Sequence, residues 1–182
     1  MEIGKNYKPI NGIPEPEFQF SISFYLDNLI KRFFKKKKKM GKTLVEIALA
    51  EYGTKEIEGP MNNMDIVHYA KESGFDWVND DETPWCAIFI NWVAMMGDYE
   101  RTHTALARDW LNVGTSIIKP EIGDIVVFWR SSPDSWKGHV GIFINEENNL
   151  MQVLGGNQSD QVNISKYSKN KILGYRRLIK KA

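Results

Sequence analysis

"DETPWCAIFINW", residues 81–92, holds the only cysteine of the chain. Free cysteine is commonly a small buried apolar residue, so Cys86 reads either as part of a core helix or as a nucleophile at the front of one. Thr83 is a good helix N-cap, and Pro84 suits the first helical position, where its missing N–H would be unsatisfied anyway. That places Trp85 and Cys86 at the second and third positions, among free backbone N–H groups and at the positive end of the helix dipole. The dipole is worth roughly 0.3–1 kcal/mol when exposed and up to ~2 when partly buried, about one pKa unit. Asp80, Asp81 and Glu82 oppose it, because nearby carboxylates favour the protonated thiol. A nucleophilic Cys86 therefore needs a histidine.

Of the three histidines, His139 in "WKGHVGIFIN" fits best. It opens a strand, and Gly138 and Gly141 flank it, leaving backbone space for a substrate chain. His103, near charged residues, reads as surface, and His68 lies on a polar helix. A structural role is open for both Cys86 and His139 taken singly. Their combination with a helix-then-sheet order points to a Cys–His pair in which the imidazole takes the thiol proton. The base needs an orienting partner. "VLGGNQSD" offers Asn157 and Gln158; Asn157 is the choice and Gln152 the runner-up, although "GGNQS" is also an ordinary turn.

Around this motif the pattern changes once. "KTLVEIALAEYG", "MDIVHYAKESG", "PWCAIFINWVAMMG" and "HTALARDWLNVG" read as helices, the third strongly apolar and central. From Lys119 the segments "GDIVVFW", "HVGIFIN", "NLMQVLG" and "ILGYRRL" read as strands, and "NEENN" supplies the turn of a hairpin. Helices first and an antiparallel sheet afterwards is the α+β arrangement.

Charge divides the chain. Residues 1–42 hold ten Lys/Arg against four Asp/Glu; the remainder hold fourteen against nineteen. The division predicts a basic arm over 1–40 and a mildly acidic domain over 41–182. Within the arm, residues 18–34 have helical apolar spacing, and Lys35 to Lys39 follow. This is either a membrane-surface or partner-binding helix with a polybasic end, giving membrane contact through residues 18–39, or a packed helix with a solvated linker. One cysteine excludes an internal disulfide and a thiolate-rich zinc site, and the histidines lack metal-ligand spacing, so no metal or cofactor is expected. "GKT" at 41–43 is no phosphate loop, because Lys36 stands where a glycine is required. The basic residues are not interleaved with aromatics on a sheet, so no nucleic-acid partner is expected. There is no run of 18 apolar residues and no secretory-signal pattern at the start. The expectation is synthesis in the cytoplasm without a cleavable signal peptide.

"TPWC" opening an apolar helix, "GDIVVFW" leading to "GHVGIFI", and "GGNQS" followed by "LGYRR" resemble the papain-like cell-wall cysteine hydrolases, the NlpC-type peptidases and their CHAP (cysteine- and histidine-dependent amidohydrolase/peptidase) relatives. The similarity runs over about residues 43 to 178, and the joint motif set "PWC…WRSSPDSWKGHVG…LGGNQS" matches a bacterial and phage subgroup. The resemblance implies a papain-like α+β fold, with Cys86 at the N-terminus of a central helix packed on an antiparallel sheet. It implies hydrolysis of amide bonds in the stem peptide or cross-link of peptidoglycan, with Cys86 as nucleophile, His139 as base and then acid, and Asn157 as orienter. CHAP relatives tend to carry an acidic residue two positions before that asparagine, where this chain has Gly155.

Trp85, Trp129 and Trp136 are candidate walls for a glycopeptide, with core packing the alternative, and Arg130 could meet a stem-peptide carboxylate. The leading expectation is a phage or prophage lysin or an antibacterial effector. It would act at the cell wall or periplasm after release or delivery by lysis or secretion machinery, an effector with an immunity protein as partner. The alternatives are a papain-like acyltransferase or deamidase, and a non-catalytic binding module on the same fold.

Overall fold

A computed structural model of the chain describes residues 43–181; the expected basic arm, and the helix expected over 18–34, lie outside the described residues. Three α-helices come first. In α1 (Leu44–Ala50) a capping box holds the start: the Glu46 N–H donates to the Thr43 hydroxyl at 3.2 Å, and the Thr43 N–H donates back to the Glu46 carboxylate at 2.6 Å. Asn63 caps α2 (Met64–Glu72) by accepting from the Asp65 N–H at 2.9 Å. In α3 (Cys86–Met96) every residue from Cys86 to Ala94 is buried. A helix apolar all round has no solvent face, and α3 packs against α1, α2 and the sheet.

The sheet has six strands in the order β1 (Thr115–Ile117), β6 (Ile172–Arg177), β2 (Ile125–Trp129), β3 (Gly138–Glu147), β4 (Leu150–Gly155), β5 (Asn163–Ser168), with every adjacent pair antiparallel. The expected hairpin is β3–β4. Its two-residue turn is Asn148–Asn149, and Asn148 adopts the left-handed φ of 54° that tight hairpins demand. Asp124 and Arg177 clamp the start of β2 to the end of β6 through two hydrogen bonds of 2.9 and 2.8 Å. Val126, Phe128, Phe143, Met151 and Val153 form a core cluster with Tyr167, Ile172 and Tyr175 packed on it. Phe128 on β2 stacks with Tyr167 on β5 at 4.8 Å although β3 and β4 lie between them, so the sheet curls over its own face.

Two local expectations change. "HTALARDWLNVG" forms only a 3-10 stretch, Ala107–Asn112. The buried Asn91 side chain explains this: it donates to the Thr102 hydroxyl and the Thr104 carbonyl and accepts from the His103 N–H, holding His103 at a φ of 60° that no right-handed helix tolerates. The short strand β1 and the polar strand β5 have no counterpart in the sequence reading, because neither carries the apolar run or clean alternation that marks a buried strand.

Gly156 follows β4 where the chain passes over α3. A Cβ there would lie 2.3 Å from the Trp85 ring and 2.8 Å from the Phe89 Cβ, both in the core. Gly156→Ala is therefore expected to destabilise the fold by roughly 1–3 kcal/mol through overpacking, read as a lower urea midpoint with unchanged m-value.

Candidate active site

Cys86 stands nearer the helix end than its sequence suggests. Asp80 takes both the Thr83 N–H (2.7 Å) and the Thr83 hydroxyl (2.8 Å), so Thr83 closes a turn instead of capping α3. The helix starts at Cys86 with Trp85 as N-cap and no side-chain cap bond. The thiol is buried, with 8% exposure. Burial pushes its pKa up; the Val140 backbone N–H, the Arg130 charge and the N–H groups of Ala87 and Cys86 pull it down. Val140 is the residue after His139, so α3 and β3 meet at the sulfur. Pairing between β3 and β4 extends only to Ile142–Leu154, which opens this end of β3 to the helix.

His139 lies opposite Phe128 on β2 and is 1% exposed. Its Nε2 is 3.1 Å from the Gln158 Oε1, and its Nδ1 is buried with no hydrogen-bond partner. The Gln158 amide nitrogen faces the carbonyls of Val153 (3.2 Å), Gly155 (3.2 Å) and Asn163 (2.6 Å) and the Asn163 Oδ1 (3.0 Å). Four acceptors around that nitrogen leave the oxygen as the only atom that can face His139. Nε2 therefore carries the proton, and the neutral imidazole keeps its lone pair on Nδ1. Burial lowers the His139 pKa to about 4; the Gln158 hydrogen bond opposes the fall and the Arg130 charge adds to it. The ring of Tyr167 stacks on the imidazole at 5.0 Å and 18°.

Several sequence expectations are corrected here. Asn157 does not reach His139. With the Asn157 amide turned so that its oxygen meets the two Trp85 donors, it accepts from the backbone N–H at 3.3 Å and the indole Nε1 at 3.0 Å, the orientation that satisfies both and ties this loop to the start of α3. The same indole N–H lies 2.7 Å from the Glu56 carboxylate, whose pKa burial raises against that bond, with Asp160, Asp81 and Glu82 adding to the rise. Gln152 sits in mid-β4 opposite Asn145 and Lys166, with its oxygen unpartnered and no bond to His139. Gln158 takes the expected place beside the imidazole, because Asn157 at φ 53° breaks the strand alternation by which facing residues are counted.

Trp85 is no wall. It packs in the core against Tyr69 and Phe89. The space beside the flanking glycines is filled: a Cβ on Gly141 would meet the Val153 side chain at 2.4 Å, and one on Gly138 the Phe128 carbonyl at 2.9 Å. Trp136 (71% exposed) and Arg130 do face solvent, and Trp129 is half-buried with Lys171 over its ring. His68 and His103 are exposed, as expected. Tyr167 and Glu56 escaped the sequence reading; both come from segments without a motif.

Residues 78–157 match the family model described as CHAP domain. The matched stretch contains Cys86, His139 and the elements that carry them, and the α+β fold is consistent with a papain-like CHAP domain. It ends one residue before Gln158. No curated protein matches the chain. Among the described residues no group of His, Cys, Asp or Glu is placed to hold a metal ion, and no helix is long and apolar enough to cross a membrane.

Burial of a neutral imidazole has a consequence for stability. An unfolded histidine takes its proton near pH ~6.5, and His139 takes it only near about 4. Between those values the unfolded chain binds a proton that the fold does not, so stability falls as the pH drops through that window. Urea midpoints measured against pH are expected to show this fall in the wild type and a flatter acid limb in His139→Gln.

Proposed function

We propose that this protein is a cysteine hydrolase that cleaves amide bonds in the peptide part of peptidoglycan. The observation that carries the reading is the His139–Gln158 contact, which leaves the Nδ1 lone pair as the free basic atom beside the cysteine-bearing helix. The Cys86 thiol gives its proton to Nδ1 as the sulfur attacks the substrate carbonyl. Because burial disfavours both the thiolate and the imidazolium, proton transfer accompanies attack rather than preceding it. The oxyanion accepts from backbone N–H groups at the start of α3, that of Cys86 among them. His139 then protonates the leaving amine and activates the water that releases the acyl group.

Gln158 takes the orienting role first given to Asn157, and Asn157 keeps the loop on α3. Exposed Arg130 and Trp136, with Trp129 opposite Gly138 at the start of β3, would offer a cation and apolar faces for the carboxylates and sugars of a glycopeptide. The biological setting that suits this chemistry is a phage or prophage lysin or an antibacterial effector, acting at the cell wall after release or delivery. The basic stretch over residues 18–39 would approach anionic membranes or a delivery partner, and an effector would be held in check by an immunity protein.

Digestion of purified sacculi, with soluble products identified by mass spectrometry, tests this. Wild-type protein is expected to release peptide or muropeptide fragments. Cys86→Ala is expected to release none, and Gln158→Ala to be slower by about 10–100-fold, the cost of a base without its orienter. Absence of fragments across several peptidoglycan types would overturn the substrate, and fragments from Cys86→Ala would overturn the chemistry.

A further inference from the structure

Tyr167 lies on β5, two strands away from His139, in a segment that no motif marks. Its ring lies nearly parallel to the imidazole, 5.0 Å away at 18°, and nearly parallel to Phe128, 4.8 Å away at 24°. Phe128 and His139 are direct partners across β2 and β3. One aromatic plane from the far side of the curled sheet therefore covers both. We propose that Tyr167 is a positioning residue that fixes the plane of the His139 imidazole and shares the positive charge the ring gains when it takes the cysteine proton.

The argument rests on what else surrounds that ring. Gln158 grips its Nε2 edge but leaves rotation about the hydrogen-bond axis free. A flat contact on the ring face removes that freedom, and the Phe128 ring beside His139, stacked on the same tyrosine, holds Tyr167 in place. Charge is the second part. The groups that act on the imidazole are the neutral Gln158 amide, the Arg130 guanidinium from the loop after β2 and the Tyr167 ring from β5, joined in the proposed reaction by the Cys86 thiolate. Arg130 repels an imidazolium and burial disfavours it. Apart from the thiolate itself, the Tyr167 ring is the group whose electron-rich face attracts a cation over its plane. Burial pushes the phenol pKa up to about 12, so Tyr167 stays neutral throughout.

This inference rests on His139 being the base, and the test separates the two. Cys86 is the only thiol, so its alkylation by iodoacetamide reads the site without any substrate. Alkylation rates against pH, together with NMR titration of the His139 ring, are measured for wild type, His139→Gln, Tyr167→Phe, Tyr167→Leu and Tyr167→Met. Tyr167→Met retains apolar bulk against Phe128 should Tyr167→Leu fold poorly. The ring-less variants are expected to alkylate about three- to tenfold more slowly near neutral pH, with the His139 pKa lowered further, as loss of a partly buried cation–π contact implies. Tyr167→Phe, which keeps the ring face, is expected to restore the wild-type profile. Wild-type rates and an unshifted His139 in a folded Tyr167→Leu or Tyr167→Met would overturn the inference. So would a Tyr167→Phe profile displaced as far as theirs, because the hydroxyl and not the ring would then matter. Unchanged alkylation in His139→Gln would instead remove the base on which the inference stands.

Discussion

The amide of Gln158 can face only one way. Its nitrogen lies among four oxygens, so its own oxygen points at His139 and fixes which imidazole nitrogen holds the proton. Reversing the amide would set an NH2 group against His139 and an oxygen against those four acceptors, in a buried place where an unpaired polar atom costs about 1–3 kcal/mol. The chemistry proposed for Cys86 depends on this constraint, because an imidazole protonated on Nδ1 would have no lone pair there to receive the thiol proton. Asn163 closes the arrangement from β5 by donating its own amide to the Gln158 carbonyl at 2.7 Å.

The same loop joins the two halves of the site. Asn157 holds the backbone and indole N–H groups of Trp85, the residue immediately before Cys86, and Gln158 holds His139. Gly156 lets the loop lie flat on Trp85 and Phe89, where any side chain would collide with the core. The start of α3 and the start of β3 are thereby set against each other by three consecutive residues. Burial then dominates the electrostatics: it outweighs the backbone N–H groups at Cys86 and the hydrogen bond at His139, and so favours the neutral form of each.

Much of this was legible in the sequence. The order of helices and strands, the central apolar helix and the β3–β4 hairpin follow from periodicity and turn residues, and the CHAP resemblance agrees with the family match over residues 78–157. The errors share a physical origin in side chains that override local rules. Asp80 captures Thr83, so the helix begins two residues later than its cap signal suggests. Asn91 holds Thr102, His103 and Thr104, with His103 in a left-handed backbone, and so keeps the start of the expected helix from forming. Asn157 adopts a positive φ and hands the place beside His139 to its neighbour. Tyr167 left no signal, because its contact depends on how far the sheet curls, which no strand pattern encodes.

The central claim is that His139 is a neutral imidazole protonated on Nε2, with Nδ1 bare. Nitrogen-15 NMR of histidine-labelled protein at neutral pH reads this directly, since protonated and bare ring nitrogens resonate far apart. The account predicts a protonated Nε2 and an unprotonated Nδ1 for His139, and loss of that preference in Gln158→Ala. A proton on Nδ1, or on both nitrogens, in the resting protein would contradict it.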